Sequence, residues 1–298
     1  MPTAVEARSV DPTRTSVLRK RYSQHYRRMW QRINTAINEY IDTVDFNAPL
    51  AIRAIEFNRF VDGLLQREFG RAESDQARGV RAMATMAYMR GVAQANTEVD
   101  EPLPPPQQAI QQADHNDAIA ALILLLSTGL MSVRLNVASQ ALERYQRANS
   151  ATEAKALIRE RIQKAGRTPT DGIAADGVVR AYNDALLNTY DSVGVEFVGV
   201  IDEKAFFQTA EDDRVCVRCY EASQRTDNGF GPGIYTIAQA RGLIPMHNRC
   251  RCRWRPLPPG TQRSQGQQSA GRTRRYGEWR VPVELQPQNR NVQGLRRR

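Results

Sequence analysis

Between Thr13 and Thr43 no Pro or Gly interrupts the chain, and apolar or aromatic residues recur at Val17, Leu18, Tyr22, Tyr26, Met29, Trp30, Ile33, Ile37, Tyr40 and Ile41. Steps of three and four predict one face of a long amphipathic helix. Asp11-Pro12 supplies its N-cap and first helical residue. Its other faces carry Arg19, Arg21, Arg27, Arg28 and Arg32. A second helix opens at Asn47-Ala48-Pro49, places Leu50, Ile52, Ile55, Phe57, Phe60, Leu64, Leu65 and Phe69 at helical spacing, and stops at Gly70. A third runs from about Glu73 to Asn96, with Met83, Met86, Met89 and Val92 read as core.

Pro102 and Pro104 to Pro106, followed by glutamines, predict a linker over 101–114. Residues 1–100 then form a helical N-terminal domain. The next helix covers about Asp117 to Ala148, with Gly129 as a candidate break. Its apolar run, Ala118 to Met131, is shorter than a membrane span and reads as a buried helix, so no membrane segment is expected. Ser150-Ala151-Thr152-Glu153 has the capping-box pattern and opens a helix that ends before Gly166. Thr170 or Asp171 caps another, which carries Ile173, Val178, Val179, Tyr182, Leu186, Leu187 and Tyr190 and ends at Gly194.

The pattern then changes. Val195 to Ile201 and Ala205 to Thr209 are short runs of β-branched and aromatic residues, read as strands. A short helix is expected from Thr236 to Arg241, and a last strand over Cys252 to Pro256. The fold class that follows is α+β and predominantly helical. A helix-plus-small-sheet domain over 115–257 follows the N-terminal region, and a tail covers 258–298.

Charge sharpens this division. The chain carries a formal net charge of +10. From Arg251 onward twelve arginines stand against only Glu278 and Glu284, so the whole excess lies there and the preceding residues balance. Arg272, Arg274, Arg275, Arg280, Arg296, Arg297 and Arg298 mark this tail as a segment for nucleic acid or an acidic protein surface. Any DNA binding through it would be independent of sequence and steeply salt-dependent.

All four cysteines fall in one stretch: Cys216-Val217-Arg218-Cys219, then His247-Asn248-Arg249-Cys250-Arg251-Cys252. No apolar secretion signal opens the sequence, so a reducing compartment is expected, where clustered cysteines serve metals more often than disulfides. Zinc takes four tetrahedral ligands from thiolate and imidazole. Five candidates exist, and four of them are expected to hold one structural zinc ion. Three thiolates plus His247 and all four thiolates both satisfy the spacing, and two disulfides are the competing chemistry. The zinc-deaminase pattern is absent, an HNH-type nuclease lacks its second histidine near His247, and no phosphate-binding glycine loop occurs. No enzymatic activity is expected. A zinc-containing, nonspecific DNA-binding protein and a metal-dependent nuclease are the rival classes.

The segment Val178-Val179-Arg180-Ala181-Tyr182-Asn183-Asp184-Ala185, then Tyr190 and Gly194-Val195, then Ala210 to Cys219, and finally Pro245-x-His247-x-x-Cys250-Arg251-Cys252 form a combined pattern. Together they resemble the phage head-morphogenesis family of Mu F-like minor head proteins. Order and spacing agree over about residues 150–257. Where the family commonly carries Arg-Thr-Glu, this chain reads Ala175-Asp176-Gly177. The resemblance implies a minor virion component inside the capsid at the portal vertex, formed in the host cytoplasm during assembly. It implies contacts with the portal protein, with major capsid or scaffold components and with phage double-stranded DNA. The implied role is in head assembly and in DNA packaging or ejection.

Overall fold

A computed structural model of the chain describes residues 13–99, 105–197, 204–210, 215–226, 230–247 and 249–256. Helices α1 (Ser16–Thr43), α2 (Leu50–Ser74), α3 (Val80–Val99), α4 (Pro105–Gln146) and α5 (Ala151–Arg161) come first. A π-helical segment, Ile162–Arg167, joins α5 to α6 (Thr168–Phe197). Then follow β1 (Lys204–Gln208), α7 (Val217–Gln224), β2 (Ile234–Thr236), α8 (Ile237–Ala240) and β3 (Arg253–Pro256). The expected class holds: mostly helical, with a small three-stranded sheet and a Cys/His cluster near the C-terminal end of the described residues.

The described residues form two compact units. Val17–Met86 with Ile119–Val178 make a helical unit, and residues drawn from Met1–Ser16, Ala87–Ala118 and Val179–Arg298 make a second that holds the sheet. The units are interleaved in sequence rather than consecutive. The blocks 1–100 and 115–257 each contribute to both, because α3, α4 and α6 run on through the positions where membership changes.

In the helical unit most of the predicted face of α1 is core: Leu18, Tyr22, Tyr26, Met29, Trp30, Ile33, Ile37 and Ile41 are buried, whereas Val17 is exposed. From α2, Phe57, Leu64, Leu65 and Phe69 join it. Phe57 stacks on Tyr145 at a centroid distance of 4.1 Å, and Trp30 meets Phe69 edge-on. Ion pairs Arg27–Asp171 (2.8 Å) and Arg32–Glu68 (2.7 Å) lie around this core.

Four expectations about helix ends are corrected here. Gly70 does not stop α2, because burial of Phe69 and Ala72 on either side offsets the roughly 1 kcal/mol that an interior glycine costs. Gly166 is no stop either. A Cβ there would lie 2.6 Å from the Trp30 ring, so glycine admits the indole and the chain continues through the π-helical turn. Gly129 leaves α4 unbroken, with Ile173 packed over it. Residues 105–114 are helical rather than linker, since Pro105 and Pro106 occupy a first turn whose N–H groups have no helical partner.

The apolar run in α4 is buried on one side only. Leu122, Leu126, Leu130, Val133 and Val137 face inward, whereas Leu124, Leu125, Met131 and Leu135 are exposed. Met83 is core, but Met86 and Met89 are exposed. The stretch Asp114–Gln146 is long and apolar enough to cross a membrane by length and composition, contrary to the shorter run counted in the sequence.

In the sheet unit the strand order is β2-β1-β3, both pairings antiparallel. The register sets Phe206 opposite Ile234, Phe207 opposite Trp254, and Gln208 opposite Arg253. The expected strand at Val195 to Ile201 is corrected: residues through Phe197 continue α6, and 198–203 lie outside the described residues. Glycine and β-branched residues cost a helix only about 0.5–1 kcal/mol each, too little to end one already propagated through more than six turns. β2 was not anticipated; its three residues are too few to show a period.

Behind the sheet lies a buried charge network. Glu98 Oε1 of α3 meets the Arg253 guanidinium at 2.7 Å, each side chain 10% exposed. Tyr190 O–H donates to Glu98 Oε2, and Arg253 Nε–H donates to Gln208 Oε1. Replacing Glu98 by Ala strands the Arg253 cation in a buried setting. The expected loss is about 3–5 kcal/mol in denaturant-induced unfolding.

Candidate metal centre

The Cys216-x-x-Cys219 pair is built on a helix start. Cys216 has extended backbone angles, φ −81° and ψ 162°, and is the N-cap of α7. Its Sγ accepts the Cys219 N–H at 3.4 Å, and its carbonyl accepts the Tyr220 N–H. A first helical turn brings positions three apart to one side, so both thiols face the same way. The sequence gave no sign of α7, because its eight residues carry too little periodicity.

The second group is built on a turn. The His247 carbonyl accepts the Cys250 N–H at 3.1 Å, and Arg249 takes the left-handed conformation, φ +64°, that lets the chain reverse. Cys250 and Cys252 follow in the lead-in to β3, two positions apart, with their sulfur atoms within 4.8 Å of each other.

These pieces converge. The ligand atoms of Cys216, Cys219 and His247 lie within 4.8 Å of one another, and so do those of Cys219, Cys250 and Cys252. Cys219 belongs to both groups, and its Sγ stands 3.8 Å from that of Cys250. All four cysteines are buried free thiols; His247 is half-buried. All five expected ligands are therefore brought together, close enough to hold a metal ion.

The thiols polarise one another. Cys216 is drawn down to about 5, first by the hydrogen bond from the Cys219 thiol and then, against burial, by His247. Cys250 is drawn down by the Cys219 and Cys252 thiols. Cys219 is raised well above the ordinary range, first by its contact with Cys216, then by those with Cys250 and Cys252 and by burial. For Cys252 the Cys219 contact acts downward, but the Cys250 contact and burial outweigh it and the thiol is raised.

One side chain fastens the cluster to α6. Asn183 is buried, and its Nδ2 donates to the carbonyls of Val179 (2.9 Å) and Cys252 (3.3 Å). Its Oδ1 accepts the Trp254 N–H at 2.9 Å. Trp254 meets Phe207 and Tyr235 edge-on, each at 5.4 Å, and Tyr235 O–H donates to Ala222 O in α7. Both halves of the cluster are therefore anchored to the same small core. The sequence singled out Arg180 to Asn183 as a motif but gave Asn183 no task, since its partners lie about 70 residues away.

The tail residues Arg272, Arg274, Arg275, Arg280, Arg296, Arg297 and Arg298 lie outside the described residues, as do Glu211, Asp212 and Asp213. His25 and His115 belong to neither ligand group. His25 Nε2 is paired with the Ala72 carbonyl, and His115 packs edge-on against Tyr88.

No protein-family model, curated protein or solved structure matches this chain.

Protein purified under reducing conditions is expected to carry about one metal ion per chain by elemental analysis, with chelation lowering the melting temperature. Asn183→Ala leaves the Cys252 carbonyl and the Trp254 N–H without this partner. An expected loss of about 2–4 kcal/mol, read by denaturation, follows from two buried groups left unsatisfied.

Proposed function

We propose that this chain is a minor head protein of a tailed phage, placed inside the capsid at the portal vertex and acting in head assembly and in DNA packaging or ejection. The family resemblance over about residues 150–257 supports this reading. The observation that carries it is the Asn183 bridge. The tyrosine-asparagine helix and the Cys/His segments, distant in sequence, meet as one piece through Asn183 and the backbone of Cys252 and Trp254. Residues so joined behave as the signature of a single small structural domain.

The same site favours a structural role for the metal. Four residues from Cys216, Cys219, His247, Cys250 and Cys252 would hold one zinc ion, whose contribution is to cross-link α7 to the approach to β3. The cysteines are buried, and a closed set of four protein ligands leaves no position for a reacting water. Metal binding of this kind is linked to folding. A three-stranded sheet of three to five residues per strand gains most from such a cross-link.

In this reading the arginines beyond Pro256 contact packaged double-stranded DNA through its phosphates, while the folded residues meet the portal and capsid or scaffold proteins. The protein resides in the virion, and in the host cytoplasm during assembly.

Two measurements test this. Co-expression with portal and capsid proteins of the source phage is expected to yield a portal-bound complex; failure to associate with any head component counts against the proposal. Removing residues 258–298 should abolish salt-sensitive binding to duplex DNA. DNA cleavage that vanishes on chelation and returns with metal would favour a nuclease instead.

A further inference from the structure

We propose that the metal is held by the four thiolates of Cys216, Cys219, Cys250 and Cys252, and that His247 stands outside the ligand set and donates a hydrogen bond to a coordinated sulfur. This rests on the metal reading above and assigns its ligands.

Three ligands follow from the geometry around Cys219. Its sulfur lies 3.8 Å from that of Cys250. A tetrahedral zinc site with metal–sulfur bonds near 2.3 Å has sulfur–sulfur edges of about 3.8 Å, so this pair is already spaced as two vertices. Cys252 is mutually within 4.8 Å of both. Its carbonyl is fixed by Asn183 and its residue is 3% exposed, so the sulfur has little room to turn away. A metal bound to Cys219 and Cys250 alone would leave a third thiol pressed against it.

The fourth position falls to Cys216 or His247, which share the other ligand group with Cys219. Cys216 is 8% exposed and set at the N-terminus of α7, where its sulfur already accepts a backbone N–H. That hydrogen bond stabilises a thiolate without blocking coordination. His247 sits half-buried on a turn. Charge agrees with this choice. Four thiolates on a dication leave a net −2, a charge that the basic residues beside the ligands in sequence, Arg218, Arg249 and Arg251, are able to offset. An imidazole N–H directed at sulfur offsets it further and orients the thiolate, as outer groups do at other metal centres.

The test uses the full chain loaded with zinc or cobalt(II), compared with His247→Ala, Cys216→Ser and Cys252→Ser. X-ray absorption at the zinc edge is expected to give four sulfur neighbours in wild type and in His247→Ala. In the cobalt form, thiolate-to-metal charge-transfer absorption should persist in His247→Ala at wild-type intensity. Affinity in that variant should fall by about 10- to 100-fold, the usual effect of losing an outer hydrogen bond. Each serine variant should lose one sulfur neighbour or lose the metal. A wild-type shell of three sulfurs and one nitrogen, with the nitrogen lost in His247→Ala, overturns this assignment while leaving the metal reading intact. Wild-type protein that takes up neither ion overturns both.

Discussion

The amide of Asn183 makes three hydrogen bonds inside a buried core, and the sheet unit is organised around them. Two engage the backbone on either side of Arg253, at Cys252 and Trp254; the third returns to Val179 in its own helix. A buried amide satisfied this fully tolerates little displacement, because any slip leaves a polar group without water or partner. β3 is thereby fixed in position along α6. Trp254 is then placed between Phe207 and Tyr235, and the sulfur of Cys252 is aimed at Cys219.

The remaining parts of the unit suit that constraint. Three short strands bury too little area to persist alone. They are held by a helix on one side, by the Glu98–Arg253 pair with its tyrosine and glutamine partners, and by the sulfur cluster. Ion pairs so deeply buried gain little net stability, but they penalise any arrangement that separates them. Asn183 and Glu98 thus specify one geometry, and a metal ion would lock it.

Sequence periodicity was most informative where one helix face alone is apolar. The α1 stripe from Leu18 to Ile41 was legible and is the core of the helical unit. It was least informative where both faces are apolar: the composition of α4 could not distinguish Leu126, which is buried, from Leu124, which is exposed. Glycine misled for a related reason. At 70, 129, 166 and 194 it was read as a break or a helix end, yet Gly166 admits the Trp30 ring and Gly70 is simply carried by its neighbours. Propensities near 1 kcal/mol yield to packing terms several times larger.

The sequence alone determined that the chain is mainly helical, that a small sheet follows, and that five Cys and His residues of metal-binding type fall in two close-spaced groups near a basic tail. These are local facts, set by spacing, turn chemistry and composition. Tertiary structure decided which sides of the apolar helices are buried, that the compact units interleave along the chain, and that Cys219 is common to both ligand groups. It also gave Asn183 its partners. Those outcomes depend on contacts between residues tens of positions apart, and no local pattern encodes where such a side chain will find its hydrogen bonds.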